Sequence, residues 1–171
     1  MDKKTFGLTG LSGSGKTTLI AQLIDWYRRH GLKVSAIKHT HHGFDLDSQG
    51  KDSWKMREAG AQEVFLVSNH RSVLMQEYRG NPEPTVEELV ARLAPCDLVI
   101  VEGYKRDPLP KIEVFRPSLE NPPVWPTNPS VVAIASDGPL QTHLPVLALD
   151  DIDAIARFIA GRLDIAVGQG T

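Results

Sequence analysis

Residues 5–18 read TFGLTGLSGSGKTT, and residues 10–17 match the pattern G-x-x-x-x-G-K-S/T at every fixed position. Glycine adopts backbone conformations that are closed to other residues, so successive N–H groups of such a stretch can point into one concavity. Phosphate oxygens fit such a concavity, provided that a strand precedes the stretch and a helix follows it. Residues 10–17 therefore predict a phosphate-binding loop, if their neighbours supply that context.

The flanking residues do supply it. Residues 5–8 form a short apolar segment that predicts a strand, and residues 17–30 carry apolar side chains at helical spacing before Gly31. The segment KVSAIK at residues 33–38 predicts the next strand. A strand, loop, helix and strand within roughly 35 residues have the size of a βαβ unit, whose two strands are parallel.

The rest of the chain alternates predicted strands and helices in the same way. Apolar, β-branched segments predict strands covered on both faces, while amphipathic segments and a capping box predict helices. The predicted strands are residues 97–101, 112–115 and 131–135, with hairpin strands at 63–67 and 72–78, and the predicted helices are 53–59, 85–93 and 152–163. Residues 118–130 contain four prolines and predict an irregular surface loop.

This order of elements predicts an α/β fold of three layers, with a mostly parallel sheet flanked by helices as in P-loop nucleoside triphosphatases, and a small β-hairpin addition. No repeat or linker interrupts the order. Residues 1–165 are therefore predicted to form a single nucleotide-binding domain, followed by a frayed tail at 166–171.

Composition restricts the classes of function. The chain has 171 residues, 41% hydrophobic and 23% charged, and its net charge of −2 gives no reason to expect a nucleic-acid or membrane partner. No apolar run approaches the roughly 20 residues of a membrane helix, and no signal peptide is recognisable, so we predict a cytoplasmic protein. The single cysteine excludes an internal disulfide and a multi-cysteine metal centre.

The predicted loop assigns a role to each of its residues. Lys16 reaches the β- and γ-phosphates of a nucleoside triphosphate as a point charge and is a candidate catalytic residue. Thr17 offers its hydroxyl to Mg²⁺, and Thr18 contacts the α-phosphate. The remaining phosphate-binding residues of the loop are Gly10, Ser12, Gly13, Ser14 and Gly15.

Polar residues at the carboxyl ends of neighbouring strands predict the rest of the phosphate and magnesium site. Glu102 follows the buried strand DLVIV and is a candidate Mg²⁺ ligand. In the loop after the second strand, Lys38 could contact phosphate, and Asp47 or Asp52 could help to hold Mg²⁺ or the nucleotide. Lys51 could neutralise charge that develops on the γ-phosphoryl group, which makes it the second candidate catalytic residue. For each of these residues, a solvated loop charge is the alternative interpretation.

The same loop contains three histidines, His39, His41 and His42. A tight metal site is one interpretation, although zinc normally requires further cysteine or histidine ligands. Contacts with phosphate or a partner, or simple exposure to solvent, are the alternatives.

Asp137 is the candidate base-binding residue. It follows the predicted strand 131–135, where guanine-selective P-loop proteins place an aspartate that accepts hydrogen bonds from guanine N1–H and N2–H₂. Adenine has no such pair of donors. The Asn-Lys that usually precedes this aspartate is missing, because the chain reads ASDG at residues 135–138. An aspartate that starts a turn before Pro139 is the alternative interpretation.

Four segments in this order and spacing resemble the molybdopterin-guanine dinucleotide biosynthesis protein B (MobB) family: GLSGSGKTTL, IKHTHHGFDLDSQGKDSWKMREAGA, VIVEGYK and VVAIASDGPL. The resemblance implies a small protein that binds GTP and Mg²⁺, has weak GTPase activity and forms homodimers. It also implies an adaptor or GTP supplier beside MobA, the guanylyltransferase that joins GMP to molybdopterin, with molybdopterin itself as a candidate ligand. By motif, residues 13–18 would hold phosphates and magnesium, surrounded by Asp47, Lys51, Asp52 and Glu102.

Slow hydrolysis is expected because no motif fixes an arginine at the γ-phosphate, although Arg57 and Arg106 are candidates. Three other functions stay open. A small-molecule kinase would share the phosphate loop, a metallochaperone-type GTPase would use the histidines, and an interaction protein would bind nucleotide only for structure.

Overall fold

The strand and the helix that the glycine loop requires are both formed in the computed structural model, which describes residues 3–40 and 43–168. Strand β1 (Lys4–Thr9) runs into the loop, and helix α1 (Lys16–Arg29) leaves it. The chain divides into two compact units, one of residues 1–39 and 86–171 and one of residues 40–85. The prediction of a single domain over residues 1–165 stays a prediction.

The first unit contains a six-stranded sheet in which every strand pair is parallel. Its further strands are β2 (Val34–Lys38), β5 (Leu98–Glu102), β6 (Lys111–Phe115), β7 (Val131–Ser136) and β8 (Val146–Ala148). The strand order is β2-β5-β1-β6-β7-β8. Strands β1 and β5 lie inside the sheet, so the glycine loop and Glu102 emerge next to each other at one edge.

Both faces of the sheet are covered by helices, which confirms the predicted three-layer α/β fold. On one face, α1 and α4 (Ile152–Arg162) bury a core that includes Phe6, Leu23 and Ile155. On the other face, Val86 of α3 (Val86–Arg92) packs with Val99 and Val101 of β5. Strand β5 is therefore buried on both faces, as its unbroken apolar sequence predicts.

Strand β8 and a short 3-10 helix at Pro117–Leu119 were not predicted. Strand β8 has only three residues and is held by hydrogen bonds from Ile134 N to Pro145 O and from Leu149 N to Ser136 O, both 2.9 Å long. A segment of this length cannot show a period of two over the four to eight residues that identify a strand. Pairing with β7, and not local sequence, specifies it.

The proline-containing segment 118–130 is anchored by a buried carboxylate. Glu113 of β6 is 1% exposed and accepts hydrogen bonds from Val124 N (2.9 Å) and Trp125 N (2.8 Å). Burial raises the pKa of this carboxyl, while the two backbone donors oppose that shift. The segment contains no strand, as predicted, but the backbone N–H groups of Val124 and Trp125 have a defined acceptor in the Glu113 carboxylate.

The second unit contains α2 (Asp52–Glu58) and an antiparallel hairpin of β3 (Glu63–Val67) and β4 (Ser72–Gln76), which confirms the predicted hairpin. Arg57 stabilises this unit, because its guanidinium lies 2.9 Å from Asp45, 3.4 Å from Asp47 and 2.9 Å from Glu77. Of the predicted tail, residues 166–168 are described, and Val167 packs partly buried against the core. In residues 3–40 and 43–168, no helix combines the length and the apolar character that a membrane crossing needs.

Candidate functional site

The backbone of the glycine loop has the conformation that its sequence predicts. Gly10, Gly13 and Gly15 have φ angles of 133°, 79° and 102°, in the region that favours glycine. At Gly10 a side chain is also excluded by space, since a Cβ atom there would lie 2.4 Å from the carbonyl oxygen of Val114. Glycine at this position is therefore required for both conformation and packing.

The loop leads directly into the N-terminus of α1. Gly15 is the residue that caps this 14-residue helix, no side chain caps the helix, and its first turn has no acidic residue. The first N–H groups of a helix lack acceptors within the helix and carry a partial positive charge. An anion at the loop would therefore face hydrogen-bond donors with no competing carboxylate in that turn.

Lys16 folds back over the loop, where Nζ donates a 2.7 Å hydrogen bond to the carbonyl oxygen of Leu11. Burial lowers the pKa of this ammonium group; Glu102 opposes the shift, and Lys105 and Lys38 add to it. The positive charges of Lys38 and Lys105 therefore repel that of Lys16 beside the loop. A polyanion there would relieve their repulsion, because an opposite charge favours the protonated amine.

Beside the loop, Thr17, Glu102 and Lys38 form a polar cluster. The hydroxyl of Thr17 donates to Glu102, at 3.1 Å from Oε2, and Lys38 Nζ lies 3.3 Å from that hydroxyl oxygen and 3.6 Å from Glu102 Oε2. The parallel register explains this meeting, since Glu102 is aligned with Leu8 of β1 and with Lys38 of β2. The structure brings together these three predicted site residues, while their roles toward phosphate and magnesium stay predictions.

On the opposite side of the loop lies a cleft of about 610 Å³. Gly15, Thr18 and Gln22 form one wall, and Asp137 and residues 146–150 contribute to the other. The volume falls in the range of roughly 300–1,000 Å³ that is usual for small-molecule sites. Two predicted site residues from distant parts of the chain, Thr18 and Asp137, therefore face the same cleft.

Arg116 also lines this cleft and was not predicted as a site residue. Its Nε donates a 2.9 Å hydrogen bond to the carbonyl oxygen of Ser14, and its Nη1 is ion-paired with Asp137. It directly follows β6, so the carboxyl-end rule that indicates Glu102 and Asp137 could also have indicated Arg116. No motif marks it, which is why sequence reasoning missed it.

Three other predicted residues, Asp47, Lys51 and Asp52, belong to the second unit. The carboxylate of Asp47 accepts hydrogen bonds from Ser53 Oγ (2.8 Å) and Ser48 N (2.9 Å). Lys51 stands directly before α2, and the Asp52 side chain is 92% exposed. Asp47 thus has an evident role inside its own unit, and the predicted roles of the three at phosphate and magnesium stay predictions.

The described residues include only part of the histidine-rich segment. His39 follows β2, and its ring lies 4.5 Å from that of Tyr104, whereas His41 and His42 lie outside the described residues. Within the described ranges 3–40 and 43–168, no group of three or more His, Cys, Asp or Glu side chains could hold a metal ion. The metal interpretation of the three histidines stays a prediction.

The similarity of this chain to known proteins covers far more residues than the glycine loop. The family described as "Molybdopterin guanine dinucleotide synthesis protein B" matches residues 5–137. The chain is 40% identical to a molybdopterin-guanine dinucleotide biosynthesis adapter protein of Haemophilus influenzae, over 92% of the chain and 88% of the relative. It is 37% identical to the adapter protein of the same description from Escherichia coli K12, over 86% of each. A MobB homologue from Bacillus stearothermophilus has the same fold, with a TM-score of 0.69, 23% identity and coverage of 95% of this chain and 99% of that one.

Proposed function

Because this chain belongs to the molybdopterin-guanine dinucleotide synthesis protein B (MobB) family, we propose that it is a GTP-binding adaptor with weak GTPase activity that acts beside MobA. One observation carries the nucleotide part of the proposal. The glycine loop lies between the polar cluster of Thr17, Glu102 and Lys38 on one side and the cleft that contains Asp137 on the other. A triphosphate on the loop would have its metal at the first side and its base at the second.

The residues of the loop suit a magnesium-bound triphosphate. The Thr17 hydroxyl and the Glu102 carboxylate supply oxygen ligands 3.1 Å apart, and Mg²⁺ prefers oxygen ligands. The Ser14 hydroxyl is buried and has no hydrogen-bond partner among the described residues, so a phosphate oxygen would satisfy it. Bound Mg²⁺ would neutralise charge on the phosphates, Thr17 and Glu102 would hold it, and Lys16 would add the fixed positive charge.

We propose weak hydrolysis because two arginines of the chain, Arg57 and Arg116, are already paired with other groups. Arg57, a candidate for stabilising the transition state, has its guanidinium beside three carboxylates of the second unit. Arg116 is held between the loop and Asp137. An arginine that stabilises the transferred phosphoryl group accelerates hydrolysis by about 10³–10⁵-fold, so slow turnover follows if none is aimed there.

The adaptor role is tested by capturing MobA on the immobilised full chain with GTP, with GDP and without nucleotide. We expect retention to require GTP and Mg²⁺, because only then would the loop and its neighbouring strand ends have their bound conformation. Equal retention under all three conditions would contradict a nucleotide-dependent adaptor and would favour an interaction protein in which nucleotide is structural. Phosphate transfer from GTP to a pterin, followed with radiolabelled nucleotide, would favour a kinase.

Guanine selectivity is tested at Asp137, whose carboxylate we propose accepts from N1–H and N2–H₂ of guanine. Asp137→Asn is expected to weaken GTP binding by about 10- to 100-fold, since a lost pair of base-edge hydrogen bonds costs about 1–3 kcal/mol. The same change should improve the binding of XTP, whose 2-carbonyl accepts from the new amide. Dissociation constants for GTP, XTP and ATP from calorimetric titration measure this.

The matched control is Asp150→Asn, because Asp150 lines the same cleft. It is expected to leave the ratio of GTP to ATP affinity unchanged. An equal loss of GTP and ATP affinity in Asp137→Asn would show that Asp137 does not read the base.

We also propose a homodimer, for which the second unit offers a surface. Phe65, Val67 and Leu74 of the hairpin are 62%, 75% and 43% exposed. They share one face of the hairpin, since Phe65 pairs with Leu74 and Val67 lies two residues further along β3. Exposed apolar faces of this kind mark interaction sites, and a second copy would cover this one. A molar mass of a single chain in light scattering at micromolar concentration would contradict the dimer.

A further inference from the structure

Arg116 connects two parts of the site that are far apart in sequence. Its Nε donates to Ser14 O at 2.9 Å, and its Nη1 is paired with Asp137 Oδ2. Its Nη2 also lies 3.4 Å from where a Cβ atom of Gly15 would be, so the guanidinium is packed along the loop itself. One planar group therefore contacts both the phosphate loop and the candidate base-binding carboxylate.

The residues next to Asp137 provide no such cation. Ala135 and Ser136, the two residues before the aspartate, are uncharged, and the Ser136 hydroxyl hydrogen-bonds the carbonyl oxygen of Gly138 at 2.9 Å. The neighbouring strand β6 does provide one. Its register aligns Phe115 with Ser136, the last residues of β6 and β7, so the residues that follow them, Arg116 and Asp137, lie side by side.

We propose that Arg116 is a positioning and specificity-determining residue of this nucleotide site, which fixes Asp137 toward the cleft and ties it to the phosphate loop through the Ser14 carbonyl. The inference rests on the proposed function and goes beyond it, because it assigns base selectivity to a pair of residues that directly follow two adjacent strands. Each residue directly follows the last residue of its strand, and a side chain so close to a strand end is positioned more accurately than one within a long loop.

The contribution of Arg116 is geometric. Its side chain and that of Asp137 are 36% and 37% exposed, and an ion pair at such exposure adds little to folding stability. The arginine matters because its planar guanidinium donates hydrogen bonds from two nitrogens in two directions, to Ser14 O and to Asp137. Lysine carries the same charge, but its three donors share one nitrogen, so it cannot reproduce the planar fork that reaches Ser14 O and Asp137 from two separate nitrogens.

Calorimetric titration of GTP and ATP with Arg116→Ala, Arg116→Lys and Asp137→Ala tests the inference. We expect Arg116→Ala to weaken GTP binding by about 10-fold, the scale of a lost charge-assisted hydrogen bond, and to change ATP binding by less than about 2-fold. Arg116→Lys should lose most of the same preference. A double variant that combines Arg116→Ala and Asp137→Ala should bind GTP no more than about 2-fold more weakly than Asp137→Ala alone, because the effects of two residues that act as a unit are not additive.

Arg157→Ala is the matched control, since Arg157 forms a 2.7 Å ion pair with Asp153 on α4 and is not among the residues that line the cleft. It should leave both affinities unchanged. A purely structural role of Arg116 would lower the unfolding midpoint in denaturant and both affinities together, and that result would overturn the inference. An Arg116→Ala variant that binds GTP more tightly would overturn it too, because Arg116 would then compete with guanine for Asp137.

The variants also separate this inference from the proposed function. If Asp137→Ala loses the preference for GTP and Arg116→Ala keeps it, the role of Arg116 is wrong and the guanine assignment stands. If Asp137→Ala itself keeps the preference, the guanine assignment fails and the role of Arg116 fails with it.

Discussion

Replacing Lys16 with alanine is expected to weaken GTP binding by about 2–5 kcal/mol, or from about 30-fold to several thousandfold, because it removes the charge that we propose faces the phosphates. Lys16 is the ammonium group closest to the loop, where it donates to Leu11 O at 2.7 Å. Titration of GTP in the presence of Mg²⁺ measures the effect. The same variant should fail to retain MobA with GTP, because the adaptor role is proposed to require the bound nucleotide.

Folding should not suffer from this change. Burial already lowers the pKa of the Lys16 ammonium, so the folded protein loses a charged group that is partly desolvated. We therefore expect an unfolding midpoint in denaturant equal to or above that of the unchanged protein. Lys55→Ala, which removes an exposed lysine of α2, is the control and should bind GTP normally. Normal GTP binding by Lys16→Ala would refute the assignment of the loop.

Replacing Glu102 with glutamine is expected to remove the dependence of GTP binding on Mg²⁺. The Glu102 side chain is only 12% exposed and accepts a hydrogen bond from the hydroxyl of Thr17. Glutamine has nearly the same volume but lacks the negative charge that would attract the metal. Loss of a group that holds or orients a metal costs about 10- to 100-fold in metal affinity. Without Mg²⁺, GTP should bind as well as before or better, because a negative charge beside the phosphates is gone.

Paired titrations in Mg²⁺ and in a chelator measure this difference. Asp97→Asn is the control at the other end of the same strand, where the Asp97 carboxylate accepts from Lys33 N at 2.7 Å. It should leave the effect of Mg²⁺ intact. An equal loss of affinity with and without Mg²⁺ in Glu102→Gln would mean that Glu102 only supports the loop.

Sequence reasoning reached the site where one rule about parallel sheets applied. Polar residues at the carboxyl ends of β1, β2 and β5 were expected to lie together, and Thr17, Lys38 and Glu102 are hydrogen-bonded or ion-paired to one another. The rule works because parallel strands align their carboxyl ends whatever their separation in the chain. It needs only correct strand ends, which the apolar runs of this chain identify.

In the second unit, the same reasoning leads to roles that stay predictions. Asp47 is predicted to help hold a metal from its place in a polar loop, and its carboxylate accepts from Ser48 N and Ser53 Oγ within the unit. Arg57 was considered as a catalytic cation, whereas it is surrounded by Asp45, Asp47 and Glu77. Charges in a loop have many alternative partners, and residue type alone does not distinguish between them.

The conformation of the glycine loop can be predicted from the sequence alone, since the glycines, Lys16 and the start of α1 act through backbone geometry within a few consecutive residues. The position of Arg116 between that loop and Asp137, by contrast, follows from tertiary contacts. The arginine is 102 positions from Ser14 and 21 from Asp137 in the chain. The register of β6 against β7 and the place of β6 beside β1 bring the three together, and such pairing over long separations leaves no local pattern to read.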